Sequence, residues 1–197
     1  MTTTTARAAV VAVLICTLAP ATASADFLVE PFFAWTRNSE TGRWVTGGGA
    51  AAEVASGWLL AGGEVGYAGG YFDPEADVLD LIAASHVLTI SGHAGVTMPA
   101  RRLADRYFPY VTAGLGVMRQ AARDREGFVD VTRNDPAFNV GGGIRILVTE
   151  YLGLRADLRH FRSLRDPFES PDPIVADLER VSFWRLGIGA VVRFGAN

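Results

Sequence analysis

The chain has one cysteine, no lysine and, beyond its first residues, no long apolar run. Each absence excludes something. Cys16 lies in an apolar amino-terminal run from Ala8 to Ala19, interrupted only by Thr17 and closed by Pro20. Arg7 is the only charge before Asp26, and Ala23-Ser24-Ala25 supplies the small-x-small pattern of a signal-peptidase site. Residues 1–25 therefore read as an export signal, too short to span a bilayer as a helix. Ile15 before Cys16 argues against a lipoprotein signal. Cleavage after Ala25 leaves residues 26–197 without a thiol, which removes disulfides and cysteine metal sites. All eighteen basic residues are arginine, a bias that reflects a GC-rich genome more than a function. The formal net charge is −3, so there is no basic footprint for nucleic acid. Outside the signal nothing is long and apolar enough for a transmembrane helix. A membrane protein without such helices must be a closed barrel, because lipid cannot satisfy an open sheet edge.

The remaining residues show no useful helical periodicity. They form eight apolar, glycine-rich runs with a period of two, which predicts strands with one apolar and one polar face. The clearest is Val181 to Phe194. Trp184, Leu186, Ile188, Ala190, Val192 and Phe194 share one face; Arg185, Gly187, Gly189 and Arg193 share the other. At ~3.3 Å per residue and a tilt of roughly 40°, Trp184 and Phe194 stand about 25 Å apart along a membrane normal, the spacing of two aromatic girdles. Leu152 to Arg159 places Arg155, Asp157 and Arg159 opposite leucines, and Phe138 to Thr149 places Arg145 opposite Ile144 and Ile146. Pro109 to Met118 and Val87 to Met98 alternate in the same way, the latter with His93 on its polar face. Trp58 to Tyr71 sets Leu59, Val65, Tyr67 and Tyr71 against Glu64. In Phe27 to Trp35, Phe32 falls on the Glu30 face, and Trp44 to Val54, with Glu53, is too rich in glycine and alanine to specify a register.

Eight is an even number, as a closed up-and-down antiparallel transmembrane barrel requires. Short connections fall near Ala55-Ser56-Gly57, Pro99 to Phe108 and Glu150-Tyr151. Long ones run across Arg37 to Arg43, Asp73 to Ser85, Gln120 to Pro136 and Arg162 to Arg180. With the amino terminus in the periplasm, the long connections face outward. Asp77 to Ala84 is compatible with one or two helical turns.

The stretches Phe108-Pro-Tyr-Val-Thr-Ala-Gly-Leu-Gly116, Phe138-Asn-Val-Gly-Gly-Gly-Ile-Arg145, Leu152-Gly-Leu-Arg-Ala-Asp157 and Trp184-Arg-Leu-Gly-Ile-Gly189 resemble the outer-membrane β-barrel family of the small OmpA/OmpX type. The resemblance spans residues 26–197 and is strongest from Phe108 onward. It implies residence in a Gram-negative outer membrane, contact with membrane lipid and lipopolysaccharide, and insertion by the barrel assembly machinery. Members typically end on an aromatic residue read by that machinery; here Phe194 takes the place, followed by Gly195, Ala196 and Asn197.

A barrel of this size has a lumen only wide enough for side chains. Its inward faces collect Glu30, Glu53, Glu64, His93, Arg145, Arg155, Asp157, Arg159, Arg185 and Arg193, the composition of an ion-pair network. Width favours a structural filling over a gated ion path. Some eight-stranded outer-membrane barrels modify lipid A, but no triad stands out. His160 and Ser163 fall on opposite faces of a strand, as do His86 and His93, which leaves neither a nucleophile–base dyad nor a metal pair. Acidic clusters at Asp73, Glu75, Asp77 and Asp80 and at Asp166, Glu169, Asp172, Asp177 and Glu179 fit solvated loops or divalent-cation contacts. Arg119, Arg123, Arg125 and Arg133 are candidates for lipid A phosphates. The expected function is a non-enzymatic structural or surface-interaction role in envelope integrity, adhesion or stress resistance, without cofactor or metal. The alternatives are a narrow channel for ions or small solutes and, behind it, a lipid A-modifying enzyme. Oligomeric state is left open by the sequence.

Overall fold

The computed structural model describes residues 25–39, 42–71, 82–98, 106–124, 130–164 and 181–195. Residues 1–24 of the export signal and both acidic loop clusters lie outside the described residues, while Ala25, its last residue, already opens the first strand. Eight strands run in order: β1 Ala25–Asn38, β2 Trp44–Ser56, β3 Leu59–Gly69, β4 Ile82–Thr97, β5 Tyr107–Asp124, β6 Asp130–Leu147, β7 Leu152–Ser163 and β8 Ser182–Phe194. Each pairs antiparallel with the next, and β1 pairs with β8 to close the barrel.

The alternation of apolar and polar residues explains the closure. In β7, Gly153, Arg155, Asp157, Arg159, Phe161 and Ser163 are buried while Leu152, Leu154, Ala156 and Leu158 are exposed. β8 has the same parity, with Trp184, Leu186, Ile188 and Ala190 outside. Exposed leucine, isoleucine and valine side chains ring the wall, among them Val65, Ile90, Val111, Leu115, Val140 and Leu154. An apolar exterior around a polar interior inverts the usual soluble arrangement and suits a wall that faces lipid.

Four local features depart from the sequence expectations. Tyr71, placed by alternation on the outer face, is buried; Gly70 (φ +65°) turns the chain inward after β3 ends. Such a positive φ is readily adopted only by glycine. The polar stretch from Gln120 to Pro136 is mostly strand, because Gln120 pairs with Arg133 and Arg123 with Asp130. β4 already begins at Ile82, so the end of the suggested helical segment Asp77–Ala84 is extended; residues 72–81 lie outside the described set. The turn between β6 and β7 spans Val148–Tyr151, two residues more than expected. The Tyr151 and Leu152 N–H groups donate to Thr149 Oγ1 at 3.3 and 2.9 Å.

The lumen is filled in three layers. Toward the long connections, Val45, Tyr71, Val87, Met118, Phe161 and Phe183 form an apolar layer, with the Phe161 and Phe183 rings stacked at 5.0 Å. Toward the short turns lie Leu28, Leu60, Tyr110, Leu147 and Val191. The charged residues occupy the space between.

Candidate functional site

The middle layer gathers chemistry from both halves of the chain. Glu30, Glu53 and Glu64 project inward from β1, β2 and β3. Arg145, Arg155, Arg159 and Arg185 project from β6, β7 and β8, with Asp157 among them. Strand order places the acidic strands opposite the arginine-bearing ones, so the ion pairs cross the lumen. All eight side chains are buried.

Every carboxylate of the layer meets at least one guanidinium. Arg145 donates through Nε to Glu30 and through Nη2 to Glu53, with a further Nη2 bond to Glu30 Oε2 at 3.2 Å. Arg155 reaches Glu30 Oε2 at 2.7 Å, Asp157 Oδ2 at 3.0 Å and Glu64 Oε2 at 3.4 Å. Arg185 donates to Glu64 Oε1, and Arg159 lies 3.6 Å from Glu64 Oε2 and 3.4 Å from Asp157 Oδ2. His93 extends the network. Its Nε2 is 2.8 Å from Glu53 Oε1 and its Nδ1 is 3.5 Å from Arg159 Nη1. This geometry assigns the ring proton to Nε2, leaving Nδ1 as acceptor toward the arginine. Four carboxylates thus face four arginines, and the guanidinium fork, unlike an ammonium, lets one side chain bridge two or three acids.

Aromatic rings cap the cations. Arg145 lies 4.1 Å from the Tyr110 ring centre, and Arg185 lies 4.7 Å from both Phe32 and Phe161. This is the use of Phe32, whose inward position was the irregularity in the first strand's pattern. Tyr110 was readable as inward by parity, but nothing in the sequence marked it as a cation's partner. Small residues make the room. A Cβ added to Gly66 would lie 2.6 Å from Arg185 Nη1, and one added to Gly187 would lie 2.5 Å from Asp157 Oδ1.

Arg193 does not join this layer. It pairs with Asp26 at 2.7 Å near the short-turn mouth, the two side chains 32% and 26% exposed. The reason is height: Arg193 is next to Phe194 at the end of β8, with Val191 between it and the charges. Of the loop-side arginines, Arg133 is held by Asp135 at 2.9 Å, and Arg119 points outward. Arg125 and the side chain of Arg123 lie outside the described set. His160 packs outside against Trp184, ring centres 4.8 Å apart, while Ser163 is buried inside, so no dyad forms between them. Among the described residues no group of three or more histidine, cysteine or acidic side chains is arranged to hold a metal ion.

Trp184 and Phe194 both lie on the outer wall. Trp35, Trp44 and Tyr67 are exposed toward the Trp184 end, and Phe27, Trp58, Tyr107 and Tyr151 toward the Phe194 end. Phe194 contacts Phe27 across the closing seam, with ring centres 6.1 Å apart. That seam has one interruption: β1–β8 pairing skips Glu30 and Pro31. Proline has no N–H to donate there.

No protein-family model and no curated protein sequence matches the chain. Solved structures do. Neisserial surface protein A (NspA) superposes with a TM-score of 0.61 at 17% identity, over 86% of this chain and 97% of that one. A major outer membrane protein of Thermus thermophilus gives 0.58 at 18% identity, over 87% and 100%. Ail, the attachment invasion locus protein of Yersinia pestis, in complex with the heparin analogue sucrose octasulfate, gives 0.55 at 16% identity, over 87% and 99%. Identities this low speak to architecture alone. The chain has the fold of the eight-stranded outer-membrane β-barrels.

Proposed function

We propose that this chain is a non-enzymatic outer-membrane protein that acts through its long-connection end and contributes to the envelope as a rigid, closed barrel. The observation that carries the reading is the filled lumen: a neutralised charge layer between two apolar layers leaves side chains where a pore would need water. The hollow beside Ser91, Ala137, Asn139 and Phe161 has no room for a water molecule. Residues 1–25 serve as the export signal, and Phe194 near the chain end is the aromatic residue read during assembly. The acids and arginines of the lumen act as a structural clamp, and the two rings of outward aromatics anchor the barrel at the membrane surfaces. Ail, an attachment invasion locus protein of the same fold, supports a surface-interaction role over a catalytic one.

Three measurements test this. The protein is expected in the outer-membrane fraction of expressing cells; recovery in the soluble periplasm would overturn the location. In planar bilayers the purified barrel is expected to pass at most small, erratic currents, because the buried pairs block the lumen. Steady, large, ion-selective currents would replace the clamp with a channel. Lipid A extracted from expressing cells should be chemically unchanged, and any new deacylated or acylated species would restore the enzyme reading.

A further inference from the structure

β1 and β8, the first and last of the described strands, lie side by side with no connection between them. Among the described ladders theirs alone is interrupted within the wall, between Val29–Val192 and Phe32–Gly189; the irregularity of β4–β5 lies at its end, near Ile82. Backbone direction explains the break. Along a strand, successive residues turn their N–H and C=O groups to alternate sides. Arg193 donates to Tyr151 on the β7 side, so Ala190, Val192 and Phe194 face β1. Asn38 donates to Arg43 on the β2 side, so Val29, Pro31 and Phe33 face β8. The register sets Pro31 opposite Ala190. Proline has no N–H, and the Ala190 carbonyl therefore lacks its donor across the seam.

The break divides the seam unequally. Toward the short turns only Phe27–Phe194, Leu28–Arg193 and Val29–Val192 remain; toward the long connections the ladder runs unbroken from Phe32–Gly189 to Asn38–Phe183. The short piece is fastened at its outer edge, by the partly exposed Asp26–Arg193 pair at 2.7 Å and by the Phe27 and Phe194 rings 6.1 Å apart. Such an exposed ion pair is a weak fastening. At the break itself the fastening is internal and strong. Glu30, fully buried, accepts from Arg145 of β6 and from Arg155 of β7, the latter at 2.7 Å. Just above it, the Phe32 ring lies 4.7 Å from the guanidinium of Arg185 on β8. An opening that starts at the short-turn end thus has few bonds to break before it reaches a position that holds none, and there it meets Glu30. We propose that the lower β1–β8 seam opens as a unit, hinged at Pro31 and stopped by Glu30, which bares the apolar lower lumen at Leu28 and Val191 to the side of the barrel while the charge layer stays shut. The inference depends on the closed barrel alone and goes beyond the surface role above.

Amide-resolved hydrogen exchange, followed by NMR on the folded barrel in maltoside micelles and corrected for intrinsic rates, tests the hinge. Val29 and Val192 face each other across the lower seam, Phe33 and Ile188 across the upper. The first two amides should exchange at least about tenfold faster than the second two, as a locally opening unit does. Gly153 and Val191, paired at the same height on the β7–β8 ladder, should stay slow. Pro31→Ala supplies the missing N–H and should slow Val29 and Val192 about fivefold, the worth of one hydrogen bond. Arg193→Gln removes the outer fastening and should speed both about threefold without changing Phe33. Glu30→Gln should carry the fast exchange past the break to Phe33 and Ile188, with Gly153 and Val191 still slow. Equal protection above and below the break in the unmutated protein overturns the opening before any variant is made. Fast exchange that Pro31→Ala leaves unchanged is fraying of strand ends and overturns the hinge; so does a rise in Arg193→Gln shared equally by Phe33. Phe33 and Ile188 that stay protected in folded Glu30→Gln overturn the stop.

Discussion

Glu64→Gln is expected to lower the unfolding free energy of the barrel by about 3–5 kcal/mol, the cost of leaving buried charge without its partner. Glu64 is the acid with the most guanidinium neighbours: Arg185 at Oε1, and Arg155 and Arg159 near Oε2 at 3.4 and 3.6 Å. Glutamine keeps the volume but removes the anion, so three arginines share the remaining acids in a space with little water to solvate the surplus. The ties also cross the barrel, from β3 to β7 and β8, so their loss loosens both halves. Urea titration in lipid vesicles, followed by tryptophan fluorescence, measures the effect. Adding Arg185→Met to the variant should recover part of the loss, since it removes the least compensated cation and leaves an apolar chain against Phe32 and Phe161. The partly exposed pair of Arg193 and Asp26 sets the contrast: Arg193→Gln should cost no more than about 1 kcal/mol. A loss below about 1 kcal/mol for Glu64→Gln would mean that the layer does not clamp the barrel.

The fold was legible because its signal is a parity, and parity survives weak propensity. Arg155, Asp157 and Arg159 could share a face only in an extended strand, and leucines between them needed somewhere apolar to go. Even β2, whose run from Gly47 to Ala52 specifies no register by itself, is fixed once Glu53 must be inside and Val54 outside. Parity fails where the backbone leaves the strand. Gly70 turned Tyr71 inward, and its positive φ is not readable from a glycine among many. Parity also carries no height. Arg193 shares the inward face of Arg185, yet its position near the end of β8 gives it Asp26 and solvent in place of the central acids. The extension of β5 and β6 was hidden for a related reason: beyond the apolar band, paired strands need no hydrophobic alternation, so Gln120 to Pro136 read as loop. Contacts between distant strands, such as Arg145 with Glu30 or His93 between Glu53 and Arg159, depend on closure and shear, which no local pattern encodes.

Ile188→Arg should be the most damaging single change on the outer wall, costing about 2–4 kcal/mol near the bilayer midplane. Ile188 lies four residues from Trp184 and six from Phe194, close to halfway between the two aromatic levels. It is half exposed, with Phe33 and Ala156 as its cross-strand partners, so an arginine there has hydrocarbon around it and no acid on the outer faces of the neighbouring strands. The adjacent residue supplies the control. Gly187 faces the lumen, where an added Cβ would lie 2.5 Å from Asp157 Oδ1. Gly187→Ala should therefore cost roughly 1–3 kcal/mol through crowding of the charge layer. The two penalties separate by their dependence on lipid. That of Ile188→Arg should shrink in vesicles of shorter-chain lipid, where the arginine reaches a headgroup sooner; that of Gly187→Ala should not change, because its cause is inside the wall. If Ile188→Arg unfolds like the unmutated protein in thick and thin bilayers alike, the outer face of β8 does not meet hydrocarbon, and the membrane-spanning reading fails with it.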